Sequence, residues 1–168
     1  MSEIISVKGL MDLQKFLDLL PQKIERNIIR GALRAGAVVI KDAAKEACPV
    51  GEPSDINRQK YGGYAGALRD SIRVSTSHKG KMIYSHVKAG GKTKKGADVY
   101  YAHIIEFTGA APHPNRGVIH PGMDAIPFMR PAFDKTNAAA VIAVGNYIKN
   151  RLATKHGLDT ADIVIEED

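Results

Sequence analysis

The chain has 168 residues, of which 44% are hydrophobic and 25% charged, the composition of one globular domain rather than a disordered or fibrous chain. A single cysteine, the absence of tryptophan and an aromatic content of 6% exclude a disulfide scaffold and leave little material for stacking nucleic-acid bases. No stretch is apolar enough to span a membrane and no repeat suggests a solenoid, while 24 Lys and Arg against 18 Asp and Glu give a net charge of +6, a mild bias toward polyanions.

Met1-Ser2-Glu3 is not the positively charged start of a secretory signal, so a protein made and kept in the cytoplasm is expected. Ile4, Ile5 and Val7 suggest a short strand over residues 3–8. Leu10, Leu13, Leu17 and Leu20 then recur at helical spacing until Pro21. A second, longer helix is predicted from Gln22 to about Ala47, with Ile24, Ile28, Ala35, Val38 and Val39 as its buried stripe. Its middle is thin, with Gly31, Ala32, Ala35, Gly36 and Ala37 in close succession. Each interior glycine costs about 1 kcal/mol against alanine, so a closely packed neighbour is expected there.

Pro49 ends that helix and opens a polar, Gly- and Pro-rich loop over residues 49–66. Residues 68–77 and 81–89 look like a strand pair turning at Ser77-His78-Lys79-Gly80, and residues 90–96 like a basic glycine loop. The segment 98–107 is ambiguous between strand and helix. Helix is preferred, with Asp98 as cap and Tyr101, Ile104 and Ile105 on one face. A second irregular stretch over 108–125 contains Pro112, Pro114 and Pro121. Pro131 then starts a helix that runs to about His156, on a stripe of Phe133, Val141, Val144, Ile148 and Leu152. Gly157 follows it, and Arg151, Lys155 and His156 occupy its last turn.

The expected class is therefore α+β: a central antiparallel sheet with a long N-terminal and a long C-terminal helix packed on it, and two long loops. Residues 1–157 read as a single domain and 158–168 as an acidic tail. Inside that tail Ile163-Val164-Ile165 reads either as a strand or as a peptide added to another chain's sheet. Loops this long are uncommon in compact domains unless they are functional or ordered by partners.

Catalytic signals are weak. Gly90-Gly91-Lys92-Thr93 looks like part of a phosphate loop, yet His86 stands where the pattern needs its first glycine. His103 and Glu106 would be one helical turn apart, with His113 and His120 in the next loop, but nothing in this spacing makes metal ligands converge. There is no Gly-x-Ser-x-Gly elbow. Cys48 sits at a helix C-terminus, where the dipole raises a thiol pKa, so a buried structural cysteine is expected. Glu106 has no obvious carboxylate partner. The expectation is a protein without catalytic residues, metal, cofactor or small-molecule substrate.

Charge is segregated along the chain. Between Asp70 and Asp98 there is no acidic residue, while Arg73, Lys79, Lys81, Lys88, Lys92, Lys94 and Lys95 fall in that span. The last eleven residues carry Asp159, Asp162, Glu166, Glu167 and Asp168 and no base. The basic span fits either salt-sensitive, sequence-independent DNA binding or an acidic neighbour such as a second copy's tail.

Three segments in order carry a resemblance. The first is Gly66-Ala67-Leu68-Arg69-Asp70-Ser71-Ile72 after an Ala/Gly-rich helix. The second is Tyr100-Tyr101-Ala102-His103-Ile104-Ile105-Glu106-Phe107-Thr108-Gly109. The third is Pro127-Phe128-Met129-Arg130-Pro131-Ala132-Phe133. Together, over roughly residues 22–151, they resemble the tail-completion and head–tail-joining proteins of long-tailed bacteriophages and prophages. The resemblance implies a non-enzymatic subunit working in a ring, six-fold by analogy, beside other tail or connector proteins in the virion tail or neck. The resemblance further implies assembly in the bacterial cytoplasm and non-specific proximity to DNA. On this reading Leu68, Ser71, Ile72, Tyr101, Glu106, Phe107, Pro127, Phe128, Arg130, Pro131 and Phe133 define the fold, with Tyr101, Ile105 and Phe107 packed beneath the strand pair. The alternative is a small nucleic-acid-binding protein that uses residues 71–97.

Overall fold

A computed structural model describes residues 7–108, 113–115, 118–120 and 124–165. Most of the strand expected over residues 3–8 lies outside them, as do Glu166, Glu167 and Asp168. The chain forms two compact units, one of Met1–Lys41, Val74–Val87 and Lys135–Asp168, the other of Asp42–Arg73 and Lys88–Asp134.

The first unit is built on three helices. Helix α1 (Leu10–Asp18) buries Leu13 and Leu17. Helix α2 (Gln22–Ala47) starts where Pro21 offers its carbonyl to the N–H groups of Ile24 and Glu25, at 2.8 and 3.1 Å. Helix α5 (Met129–His156) supplies Ile148 and Leu152. Their apolar faces meet in one core of Leu13, Leu17, Ile28, Ala32, Ile148, Leu152 and Ile163. The thin middle of α2 has the close neighbour its sequence implied. A Cβ on Gly36 would lie 2.7 Å from Val144 Cγ2 and 2.8 Å from the Ala140 carbonyl, and one on Gly31 would strike the Tyr147 phenol.

Ile163 belongs to that core, so residues 158–165 pack on the unit. After Gly157 the chain folds back onto the unit and buries Thr160 and Ile163, with Leu158 and Ile165 packed against the cluster. Two glycines make room for it. A Cβ on Gly145 would stand 2.8 Å from Ile165 Cγ2, and one on Gly9, at φ +81°, would collide with the Val164 carbonyl. Lys149 Nζ fastens the segment by donating to the Ile163 carbonyl at 2.6 Å. The apolar triplet thus finds its surface within its own chain. Strands β1 (Arg73–Lys79) and β2 (Met82–Lys88) pair around a two-residue turn at Gly80-Lys81. Gly80 takes the positive φ of 62° such a turn favours, and Thr76 and Ser85 hydroxyls meet across the pair at 3.1 Å.

The second unit holds helix α3 (Asp55–Tyr61), helix α4 (Ala67–Ser71), strands β3 (Gly91–Lys92) and β4 (Asp98–Val99), and a π-helical turn at Ile104–Thr108. Beyond it come strands β5 (His113–Asn115) and β6 (Val118–His120), paired antiparallel. Three readings are corrected here. The loop over 49–66 contains α3. Leu68 and Ser71 stand on a helix rather than a strand, because Gly66 at φ +82° turns the chain into α4 before β1 begins at Arg73. Asp98 caps no helix: it pairs with Lys92 in β3–β4, and the chain turns helical only after Tyr100 and Tyr101. The class is α+β, and the strands among the described residues form three separate two-stranded sheets.

Candidate functional site

The second unit gathers the three motif segments, and Glu106 joins two of them. Its carboxylate is 7% exposed. Oε2 accepts the main-chain N–H of Phe128 at 2.8 Å and of Met129 at 2.9 Å, while Oε1 accepts that of Arg130 at 3.0 Å. These are the orphan donors that open α5. A carboxylate placed there satisfies them and meets the positive end of the helix dipole. Phe128 beside it is fully buried. From sequence Glu106 counts among the fold-defining motif residues, without a contact to explain why. The signal was present nonetheless: α5 begins after Pro127-Phe128, which offer no side-chain acceptor, so its cap had to come from elsewhere.

Ser71 ties the first segment to the glycine turn. Its hydroxyl donates to the Leu68 carbonyl at 2.6 Å and accepts the Gly90 N–H at 2.9 Å. The Arg73 guanidinium closes the same knot, donating to the carbonyls of Ser71 and Gly90. Leu68 and Ile72 are buried around it. Arg73 therefore holds main chain together within the unit.

Nearby, the Tyr64 hydroxyl donates to Asp70 Oδ2 at 2.9 Å, Lys95 Nζ lies 3.4 Å from the same oxygen, and that ammonium sits over the Tyr64 ring at 4.6 Å. The Tyr64 hydrogen bond, helped by Lys95, holds the Asp70 carboxyl below its ordinary range. Burial raises the Tyr101 phenol. Burial also pushes the Cys48 thiol to about 11, against a smaller pull from Arg69. Desolvation keeps that thiol protonated and inert at neutral pH.

The unit carries a cleft of about 580 Å³, lined by Pro49, Pro53, Tyr64, Leu68, Tyr100, Tyr101, Ile105, Ile126 and their neighbours. Tyr61, Tyr100 and Tyr101 make an aromatic row beside it, with ring centroids 4.8 and 5.6 Å apart. Its lining is apolar and exposed at Tyr100 and Ile126. Among the described residues no group of three His, Cys, Asp or Glu side chains is placed to hold a metal ion, and no helix is long and apolar enough to cross a membrane.

The remaining expected residues are dispersed. Phe107 is 67% and Phe133 50% exposed, so neither packs beneath the strand pair or into a core stripe as expected. The short π-helical turn carries Glu106 inward and Phe107 outward. Pro127, Arg130 and Pro131 are exposed at the start of α5, and Tyr101 is half-buried. Lys79 and Lys81 belong to the first unit, whereas Arg73, Lys88, Lys92, Lys94 and Lys95 belong to the second. Asp159 and Asp162 are exposed on the docked segment.

Residues 11–107 match a family described as "Bacteriophage HK97-gp10, putative tail-component". The chain belongs to the HK97-gp10-like family. The matched span runs from α1 to the π-helical turn and includes both Ser71 and Glu106. The N–H groups that Glu106 captures lie beyond its end. No curated protein and no solved structure matches the chain significantly. Membership makes this a phage tail component, placed with other tail proteins in the virion.

Proposed function

We propose that this HK97-gp10-like protein is a structural subunit of the tail end that joins the head. It would act as a homo-oligomeric ring, six-fold by family analogy, that completes the tail without catalysing a reaction. The family match over residues 11–107 carries this reading. The interior supports it, because its chemistry-bearing groups are committed to architecture. Glu106 is saturated by three N–H groups, Ser71 bridges two segments, and Cys48 is held protonated. The chain would be assembled in the host cytoplasm and end in the tail or neck of the virion.

Deletion of its gene from the phage that encodes it tests the reading. Filled heads and free tails should accumulate separately, and supplying the protein in trans should restore complete particles. Normal yields of joined virions after deletion would overturn it.

The nucleic-acid alternative loses two of its cations to the fold, since Arg73 binds main-chain carbonyls and Lys95 pairs with Asp70.

A further inference from the structure

The docked C-terminal segment and α1 together frame a groove of about 360 Å³ in the first unit. Phe16, Leu19 and Ile163 supply its apolar surface, and Asp12, Asp159 and Asp162 its charge. Leu19 is 75% exposed there. Lys15 is spent on Asp12 at 2.9 Å, and Asp159 accepts the Ala161 N–H. The groove therefore presents apolar surface under an excess of negative charge.

The same unit carries a complementary feature. The β1–β2 turn ends in Lys79-Gly80-Lys81, whose lysines make no ion pair or hydrogen bond among the described residues. Beside them Met82 is 60% exposed, its sulfur oriented by the Tyr84 hydroxyl at 3.2 Å. An exposed methionine flanked by two uncommitted cations matches an apolar groove flanked by carboxylates.

We infer that the groove between α1 and residues 159–163 is the seat for the Lys79–Met82 turn of a second copy of this chain. Charge complementarity, together with an exposed apolar residue on each side, identifies the occupant. The two surfaces differ, so each copy has one seat to offer and one turn to give. Such a heterologous contact propagates from copy to copy and closes a ring when the rotation allows. The ion pairs orient the contact and make it salt-sensitive, and Met82 against Leu19 makes it adhere. The inference rests on the ring reading above and supplies its interface.

A mixed-chain cross-linking experiment tests it. Cys48 is buried, so an introduced surface cysteine is the reactive thiol. One full-length preparation carries Lys81→Cys and the other Asp162→Cys. Mixed under mild oxidation, they should give a disulfide-linked dimer that neither gives alone, and the yield should fall steeply with added salt. Charge reversal provides the second arm. Lys79→Glu with Lys81→Glu should weaken self-association by about tenfold or more, as should Asp159→Lys with Asp162→Lys, and mixing the two reversed chains should restore it. Wild-type rings that form without the mixed cross-link and survive both reversals would overturn the seat while leaving the ring intact. A chain that never self-associates, at low salt and high concentration, would overturn both.

Discussion

Glu106 holds the main-chain N–H of Phe128 at 2.8 Å, 22 residues further along the chain, and through it fixes where the last long helix begins. The contact is not made by a local cap. It spans the whole loop over 108–125, so the start of α5 depends on where the π-helical turn sits.

Replacing Glu106 by alanine leaves one buried and two part-buried N–H groups unmatched at a helix terminus. The expected cost is about 2–4 kcal/mol of folding stability, read by urea unfolding at neutral pH. Glutamine should lose less, because its carbonyl oxygen can serve Phe128 and Met129 while its amide faces the Arg130 N–H as a second donor. Equal stability of all three chains would show that water replaces the carboxylate.

Gly36 and Gly31 should respond differently to alanine. At Gly36 the new methyl meets the Ala140 carbonyl at 2.8 Å and Val144, and main chain cannot step aside. Gly36→Ala should therefore cost about 1–3 kcal/mol despite the gain in helix propensity. At Gly31 the obstacle is the end of the Tyr147 side chain, which can swing away, so Gly31→Ala should cost less. Thermal melts of the two variants decide the order, and the reverse order would contradict the packing described.

Cys48 should react slowly with a thiol reagent at pH 8 and quickly once the chain is unfolded. Its thiol is raised from 9.0 to about 11 in the folded protein. The unfolded state therefore ionises first, and the contribution is fully present below pH 9 and lost as pH climbs toward 11. Cys48→Ala should flatten that part of the stability profile. Fast labelling of the native chain at pH 8 would contradict the burial.

Asp70 titrates below its ordinary range because Tyr64 donates to it, with Lys95 helping. Its contribution is present above the ordinary carboxylate range and is lost as pH falls through the lowered folded value. Tyr64→Phe should return the Asp70 titration upward in an NMR experiment. The stability change should be within about 1 kcal/mol, since the pair with Lys95 lies at the surface.

The elements legible in the sequence are those that punctuation defines. Pro21 and Pro49 bracket α2, and the reading of Gln22–Ala47 matches its observed bounds; Gly157 marks the end of α5 as expected. What escaped the sequence depends on distance along the chain. Glu106 gave no local hint of Phe128. Ile163 reads either as a strand or as a peptide for another chain's sheet, because its binding surface, built from α1, α2 and α5, exists only after folding. Leu68 and Ile72 suit a strand by composition, yet the positive φ at Gly66 starts a helix turn there. Phe107 and Phe133 read as core by residue type, and neither is.

The central claim is a place in the particle, so the most direct measurement is location. Gold-labelled antibody against this chain, imaged on intact virions and on free tails, should mark one end of the tail tube, the end that meets the head. Label distributed along the whole tube, or confined to the tip far from the head, would contradict the account.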